Sequence, residues 1–125
     1  SSVMASLNVK KKTVNRWGIY KLGKRLSKTN HLIDSVVEKP SVKNAPSNKA
    51  VIGRYILPRS IFKKLLNQKP SKDGEIHITD AIQSLINDNE KFIAHDFSGK
   101  YLDCGTMHGY INSIKEISKL WNFAW

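Results

Sequence analysis

The residues whose types and spacing could do chemistry are Glu38 and Lys39, a carboxylate beside an ammonium, directly ahead of Pro40. Carboxylate oxygens accept hydrogen bonds from hydroxyls, and a compact ammonium offsets phosphate charge, so the pair suits a ligand that is both hydroxylated and phosphorylated. Taken alone it is weak, because successive strand residues point to opposite faces and most such pairs are surface charge. Asp103, in Asp103-Cys104-Gly105, is by its local sequence an exposed turn acid. Cys104 has no base nearby in sequence and reads as a small buried residue rather than a nucleophile. His31, His77, His95 and His108 lack metal-ligand spacing and read as surface or packing residues.

The elements that must position these groups follow from apolar patterning. Residues 2–9 read as a strand, and a basic loop leads to a second extended segment over Arg16 to Leu22. A turn is expected over Lys21 to Leu26. Leu32 to Val37 is β-prone and stops at Pro40, which offers no backbone donor and biases Lys39 towards an extended conformation. A loop rich in Ser and Asn then releases into a strand from Ala50 to Leu57, closed by Pro58. Ile61, Phe62, Leu65 and Leu66 recur at helical spacing until Pro70, and this helix is expected to cover a sheet face. Thr79 is placed to cap a helix with the stripe Ile82, Leu85 and Ile86, and Asp80 favours its positive end. Lys91 to Asp96 reads as a strand, Ser98-Gly99 as a turn and Lys100 to Leu102 as a short strand. A last helix from about Thr106 carries Met107, Tyr110, Ile111, Ile114 and Ile117 on one face. Strands and helices in this order imply a layered α/β sheet.

With 125 residues, 14.2 kDa and 40% apolar residues, the chain is long enough for one domain with an ordinary core. No apolar run reaches membrane-spanning length, and Ser1-Ser2-Val3-Met4 does not begin a signal peptide. The single cysteine excludes an internal disulfide and a cysteine zinc site, and a cytoplasmic protein is expected. The net charge of +11 is lopsided: residues 1–49 carry eleven Lys/Arg against two Asp/Glu, residues 50–125 ten against eight. Anionic ligands are implied. Lys10-Lys11-Lys12, Arg16, Lys21, Lys24, Arg25 and Lys28 could form a nucleic-acid patch. With only Trp17 and Tyr20 available for base stacking, a solvated face is the expectation and no nucleic acid or membrane partner is assigned.

Six segments occur in order: Trp17-Gly18-Ile19, Val37-Glu38-Lys39-Pro40, Ala45-Pro46-Ser47-Asn48, Gly53-Arg54-Tyr55-Ile56-Leu57, Glu75 through Ile82, and Asp103-Cys104-Gly105 with Gly109-Tyr110. Together they closely resemble the C-terminal half of the bacterial UDP-glucose pyrophosphorylase family, the UTP–glucose-1-phosphate uridylyltransferases, from about Ser2 to Lys119. The resemblance implies residues 1–125 as one partial domain, the sugar-phosphate-binding half of a Rossmann-like nucleotidyltransferase fold, a mixed sheet with flanking helices that lacks the N-terminal nucleotide-binding strands. It implies transfer of a uridylyl group from UTP to glucose 1-phosphate with Mg²⁺ and release of pyrophosphate, without a covalent enzyme intermediate.

Carried over residue by residue, Glu38 resembles the carboxylate that accepts from glucose hydroxyls, and Lys39 the catalytic lysine that holds the sugar phosphate. Gly18 resembles the glycine whose backbone lies against the hexose, and Asp103 the second carboxylate of the Mg²⁺ site. Arg54 and Tyr55 match positions that pack around the site, and Trp121, Phe123 and Trp125 are expected to dock on apolar surface in this chain or a partner. Trp17 stands where the family usually has tyrosine, and His77 where glutamine is common. The family's Gly-rich Gly-x-Gly-Thr-Arg loop, its Pro-Lys-Glu segment and its first metal-ligating aspartate have no counterpart here. The chain by itself is therefore expected to be inactive, and an open sheet edge is expected to drive homo-oligomer formation. A non-catalytic oligomerising or ligand-binding module is the alternative, and a basic nucleic-acid-binding domain a weaker one.

Overall fold

Period-two patterning writes the first strand: along β1 (Ser2–Asn8), Ser2, Met4 and Ser6 are buried and the residues between them half-buried. Four more follow, β2 (Gly18–Arg25), β3 (Asn30–Glu38), β4 (Lys49–Ile56) and β5 (Phe92–Asp96). The computed structural model describes residues 2–121. Within them the strands close into a ring in the order β1-β4-β2-β3-β5. β5 runs parallel to β1, from Ser2 opposite Phe92 to Ser6 opposite Asp96, and the other pairs are antiparallel. The sheet is thus mixed, as expected, and each described strand has two neighbours. The thinnest seam joins β2 to β4 at Ile19 and Ala50.

Met4, Tyr20, Ile33, Phe92 and Ala94 from the ring meet Ile61, Ala81, Ile82 and Leu85 from the helices in one core. Burying a side chain such as Phe92 or Leu85 contributes roughly 2 kcal/mol. Tyr20 is fully buried, and its hydroxyl donates to the Ala5 carbonyl at 3.0 Å, so no buried polar group is orphaned there. A half-buried ion pair, Lys49 Nζ to Asp96 Oδ2 at 2.6 Å, ties β4 to β5 across the end of β1.

Helix α2 (Ile78–Asn87) lies on β3, where Gln83 Oε1 accepts the Val36 N–H at 2.9 Å. Helix α1 (Ser60–Leu66) packs on α2, not directly across the sheet. α2 starts two residues earlier than expected: extended His77 occupies the cap position, its carbonyl taking the Asp80 N–H at 3.2 Å, and Thr79 falls inside the first turn. β2 continues through Lys21–Arg25, where a turn was expected. β3 keeps pairing with it by way of two register shifts, and the chain reverses only after Leu26, whose N–H donates to the Asn30 carbonyl. Lys100 to Leu102 is not a strand, because no neighbour offers it a ladder. Helix α3 (Met107–Leu120) begins at Thr106, whose side chain accepts the Gly109 N–H at 3.0 Å. Phe123 and Trp125 lie outside the described residues; Trp121 is 70% exposed in the single chain.

Candidate active site

The start of β2 and the end of β3 are paired so that Gly18 stands opposite Glu38. A Cβ on Gly18 would come 3.0 Å from Glu38 Oε2 and 3.3 Å from Val51 Cγ2, so only a bare backbone leaves the carboxylate in place. Glu38 is exposed and opens onto a cleft of about 520 Å³ that Gly18 and Asp103 also line. Three residues from separate segments of the sequence therefore share one concavity. Tyr55 enters it from β4. Burial pushes its phenol up, and the nearby negative charge of Glu38 pushes it further, so Tyr55 keeps its proton and can donate to a bound oxygen.

Lys39, the next residue, is exposed and does not line the cleft. Its backbone is left-handed, φ +43°, where the sequence implied an extended conformation. The Lys39 N–H donates to the Trp17 carbonyl at 2.9 Å, and this bond holds the residue in a conformation that a non-glycine side chain rarely adopts. The preference imposed by Pro40, itself buried, is overridden by the Gly18–Glu38 pairing just before Lys39 and by the bond to Trp17.

Asp103 is fixed by its surroundings. Its Oδ1 accepts the Gly105 N–H at 2.9 Å, and a Cβ on Gly109 would meet its carbonyl oxygen at 2.2 Å, so the first turn of α3 sits directly against it. Cys104 beside it is exposed, contrary to the expectation of burial, because the loop turns its side away from any core. Sequence reasoning did not place four further residues in the cleft. Trp17 and Tyr101 meet edge to face, centroids 5.2 Å apart, and form one wall. Arg16, read as part of a basic patch, also lines the cleft, as does Thr79. Only the fold brings them together, although an aromatic two residues ahead of Asp103 was a usable hint. Arg54 faces a neighbouring cavity of about 940 Å³ with His95 and Lys100.

A divalent cation is implied by the resemblance, and the cleft chemistry fits one. Mg²⁺ takes hard oxygen donors, commonly one or two carboxylates with phosphate and water, and Asp103 and Glu38 supply carboxylates to the same cleft. Elsewhere, Asp73, Glu75 and His77 place ligand atoms within 4.8 Å of one another, a grouping that histidine spacing alone did not reveal. His77 Nε2 lies 2.6 Å from Asp73 Oδ2; this contact raises the imidazole pKa, while the Glu75 N–H, then His77, lower that of Asp73. All eight residues of the proposed basic patch are exposed. Of its two aromatics, Tyr20 is buried and Trp17 is engaged with Tyr101.

The family model for nucleotidyl transferases matches residues 2–119: the chain belongs to that family. Within it, the similar proteins include several named UTP–glucose-1-phosphate uridylyltransferase. The UTP–glucose-1-phosphate uridylyltransferase of Pseudomonas aeruginosa is 38% identical over 112 residues, covering 90% of this chain and 39% of the relative. That of Bacillus subtilis is 36% identical over 122 residues, 94% of this chain and 40% of the relative. Among solved structures, an apo UDP-glucose pyrophosphorylase superposes with a TM-score of 0.88 at 40% identity, covering 95% of this chain and 43% of that one. A UDP-glucose pyrophosphorylase complexed with UDP-glucose gives 0.85 at 40% identity. The chain thus spans about two-fifths of the length of its relatives. Among the described residues no helix is long and apolar enough to cross a membrane.

Proposed function

We propose that the cleft between β2, β3 and the Asp103 loop holds the hexose 1-phosphate part of a nucleotide sugar, and that the chain supplies the sugar-phosphate side of a uridylyltransferase. The observation that carries this is the convergence of Gly18, Glu38 and Asp103 on one cleft from three distant segments. Identity to relatives named for glucose 1-phosphate, and to a structure holding UDP-glucose, supports it.

In this reading Glu38 accepts hydrogen bonds from hexose hydroxyls while Gly18 lets the ring approach the backbone. Lys39 lies one residue beyond and offsets charge on the sugar phosphate. A phosphate oxygen of glucose 1-phosphate bonds to the α-phosphorus of UTP, the bond to the β-phosphate oxygen breaks, and pyrophosphate leaves with its electron pair to give UDP-glucose. No proton need be abstracted from an ionised phosphate, so the chain's residues position and neutralise rather than act as nucleophiles. Mg²⁺ would be held by Asp103 with substrate phosphates and would spread the developing charge. The chain alone is inactive in this scheme, because no segment of it resembles the family's nucleotide loop. A cytoplasmic location follows from dependence on UTP and from a lone exposed thiol, Cys104.

Isothermal titration of the 125-residue chain with UDP-glucose and with glucose 1-phosphate tests the reading. Binding that weakens at least tenfold in Glu38→Ala and in Lys39→Ala is expected. An absence of heat with either ligand, alongside tight and salt-sensitive binding of an oligonucleotide, would overturn it.

A further inference from the structure

The cleft is lined by two carboxylates and one cation. Glu38 and Asp103 bring negative charge to it, and among the described residues that line it Arg16 alone brings positive charge. A phosphate entering such a lining is repelled unless that cation faces it. Lys39, which the resemblance assigns to the phosphate, does not line the cleft, and its left-handed backbone is held by the bond from its N–H to the Trp17 carbonyl. The positive charge inside the cavity therefore stands at Arg16, two residues ahead of Gly18.

The neighbours of Arg16 fix its place. A short 3-10 helix (Lys11–Arg16) is pinned by Val14, fully buried with Ile19 and Ala50, and it closes with the Trp17 N–H donating to the Val14 carbonyl at 3.1 Å. On the other side Gly18 is paired opposite Glu38. Between these anchors the Arg16 side chain stays exposed, and among the described residues it makes no ion pair, although two carboxylates share its cleft. A guanidinium is planar, remains charged, and presents paired N–H donors that match two oxygens of one phosphate. We propose that Arg16 is the phosphate anchor of the cleft and the residue that makes it select a phosphorylated hexose over a neutral one. Its guanidinium donates to two oxygens of the sugar phosphate while Glu38 accepts from the ring hydroxyls. The proposal rests on the reading that this cleft holds a hexose 1-phosphate, and adds which residue grips the phosphate and sets that preference. Lys39 adds charge from outside the cleft. Because Trp17 lies between Arg16 and Gly18 and accepts the Lys39 N–H, one three-residue segment sets the phosphate anchor, the bare backbone beside the hexose and the second cation.

Two ligands with the same ring, glucose 1-phosphate and methyl α-glucoside, separate the phosphate contact from the sugar contacts. Each is titrated into the 125-residue chain and followed by two-dimensional NMR, which reads weak binding and the integrity of the fold together, without Mg²⁺ so that no metal supplies the charge. Wild type should bind glucose 1-phosphate more tightly than the glucoside. Arg16→Ala should weaken glucose 1-phosphate at least tenfold and leave the glucoside within about twofold, and Arg16→Lys, which restores charge but not the fork, should recover part of the loss. Glu38→Ala should weaken both ligands. If Glu38→Ala weakens both and Arg16→Ala changes neither, or if the loss confined to the phosphorylated ligand appears in Lys39→Ala and not in Arg16→Ala, the cleft reading stands and the Arg16 proposal is overturned. Equal weakening of both ligands in Arg16→Ala, with a lowered urea midpoint, also overturns it, because the arginine would then serve the fold. If neither ligand binds wild type, the reading of the cleft falls and the proposal with it.

Discussion

Gly18 and Glu38 are cross-strand partners so close that a methyl group on the first would stand 3.0 Å from a carboxylate oxygen of the second. Glu38 is free to swing, so Gly18→Ala should leave the fold intact and move the carboxylate instead. UDP-glucose affinity is expected to fall about tenfold, about 1.4 kcal/mol, while the urea midpoint shifts little. Parallel loss of binding and of stability would show that the glycine serves the strand rather than the ligand.

Tyr55 gives a spectroscopic view of the same carboxylate. Burial first and Glu38 second raise its phenol, so Glu38→Gln should bring the Tyr55 titration down without returning it to the ordinary value near 10. The sign for stability follows. A raised phenol stabilises the fold fully below about pH 10, and that contribution is lost as pH rises towards the folded value, because unfolded tyrosines ionise first. Ultraviolet titration at 295 nm, with melts above pH 10, checks both.

Gly109 has no room for a side chain, since a Cβ would meet the Asp103 carbonyl at 2.2 Å. Gly109→Ala is expected to lift α3 from the protein and leave the ring standing. Hydrogen exchange should show protection lost over 107–120 and kept in β1, β3 and β5. Asp103 would move with the helix, so any ligand binding that depends on it should weaken at least tenfold in the same variant.

The Lys49–Asp96 pair is 14% and 27% exposed and spans β4 and β5. Its removal leaves a half-buried charge, so Lys49→Ala or Asp96→Ala should cost about 1–2 kcal/mol, between exposed and fully buried pairs. The double variant should lose less than the two single losses combined, which a double-mutant cycle in urea would measure.

His77 and Asp73 form a solvent-facing pair, His77 half-buried and Asp73 exposed, with opposite shifts. The raised histidine contributes while protonated, and that contribution fades as pH rises through its folded value above about 6.5. The lowered aspartate contributes above its ordinary value and loses it as pH falls. Proton NMR of His77 should therefore show a midpoint above the ordinary one that Asp73→Asn restores; an unchanged midpoint would remove the pair.

Local chemistry made much of this legible in sequence. Apolar runs bounded by Pro40 and Pro58 located β3 and β4, and Ile82 with Leu85 located the buried side of α2. What escaped was decided at a distance. Period-two patterning tells which way a side chain points, not which strand lies beside it, so the pairing of Ser2 with Phe92 and the closure of the ring could not be read. Lys39 was assigned from its neighbour Pro40, and the hydrogen bond its N–H donates to the Trp17 carbonyl settled it otherwise. The apolar positions of α3 were found, but periodicity cannot say that they stay exposed in this chain. At the cleft, Gly18, Glu38 and Asp103 came from motif resemblance, whereas Arg16 and Tyr101 entered by tertiary placement alone.

Closure of the ring also sets an order in time. β1 pairs on one side with β4 and on the other with β5, about ninety residues further along the chain. Local helices can form within microseconds, but this parallel pairing must first close a long loop, which places the domain among slow folders. During synthesis the first strand emerges early and waits, one side unpaired, until Phe92 to Asp96 has left the ribosome. A chaperone that shields Val3 to Leu7 through that interval would have more influence on the yield of folded protein than any single contact in the finished ring.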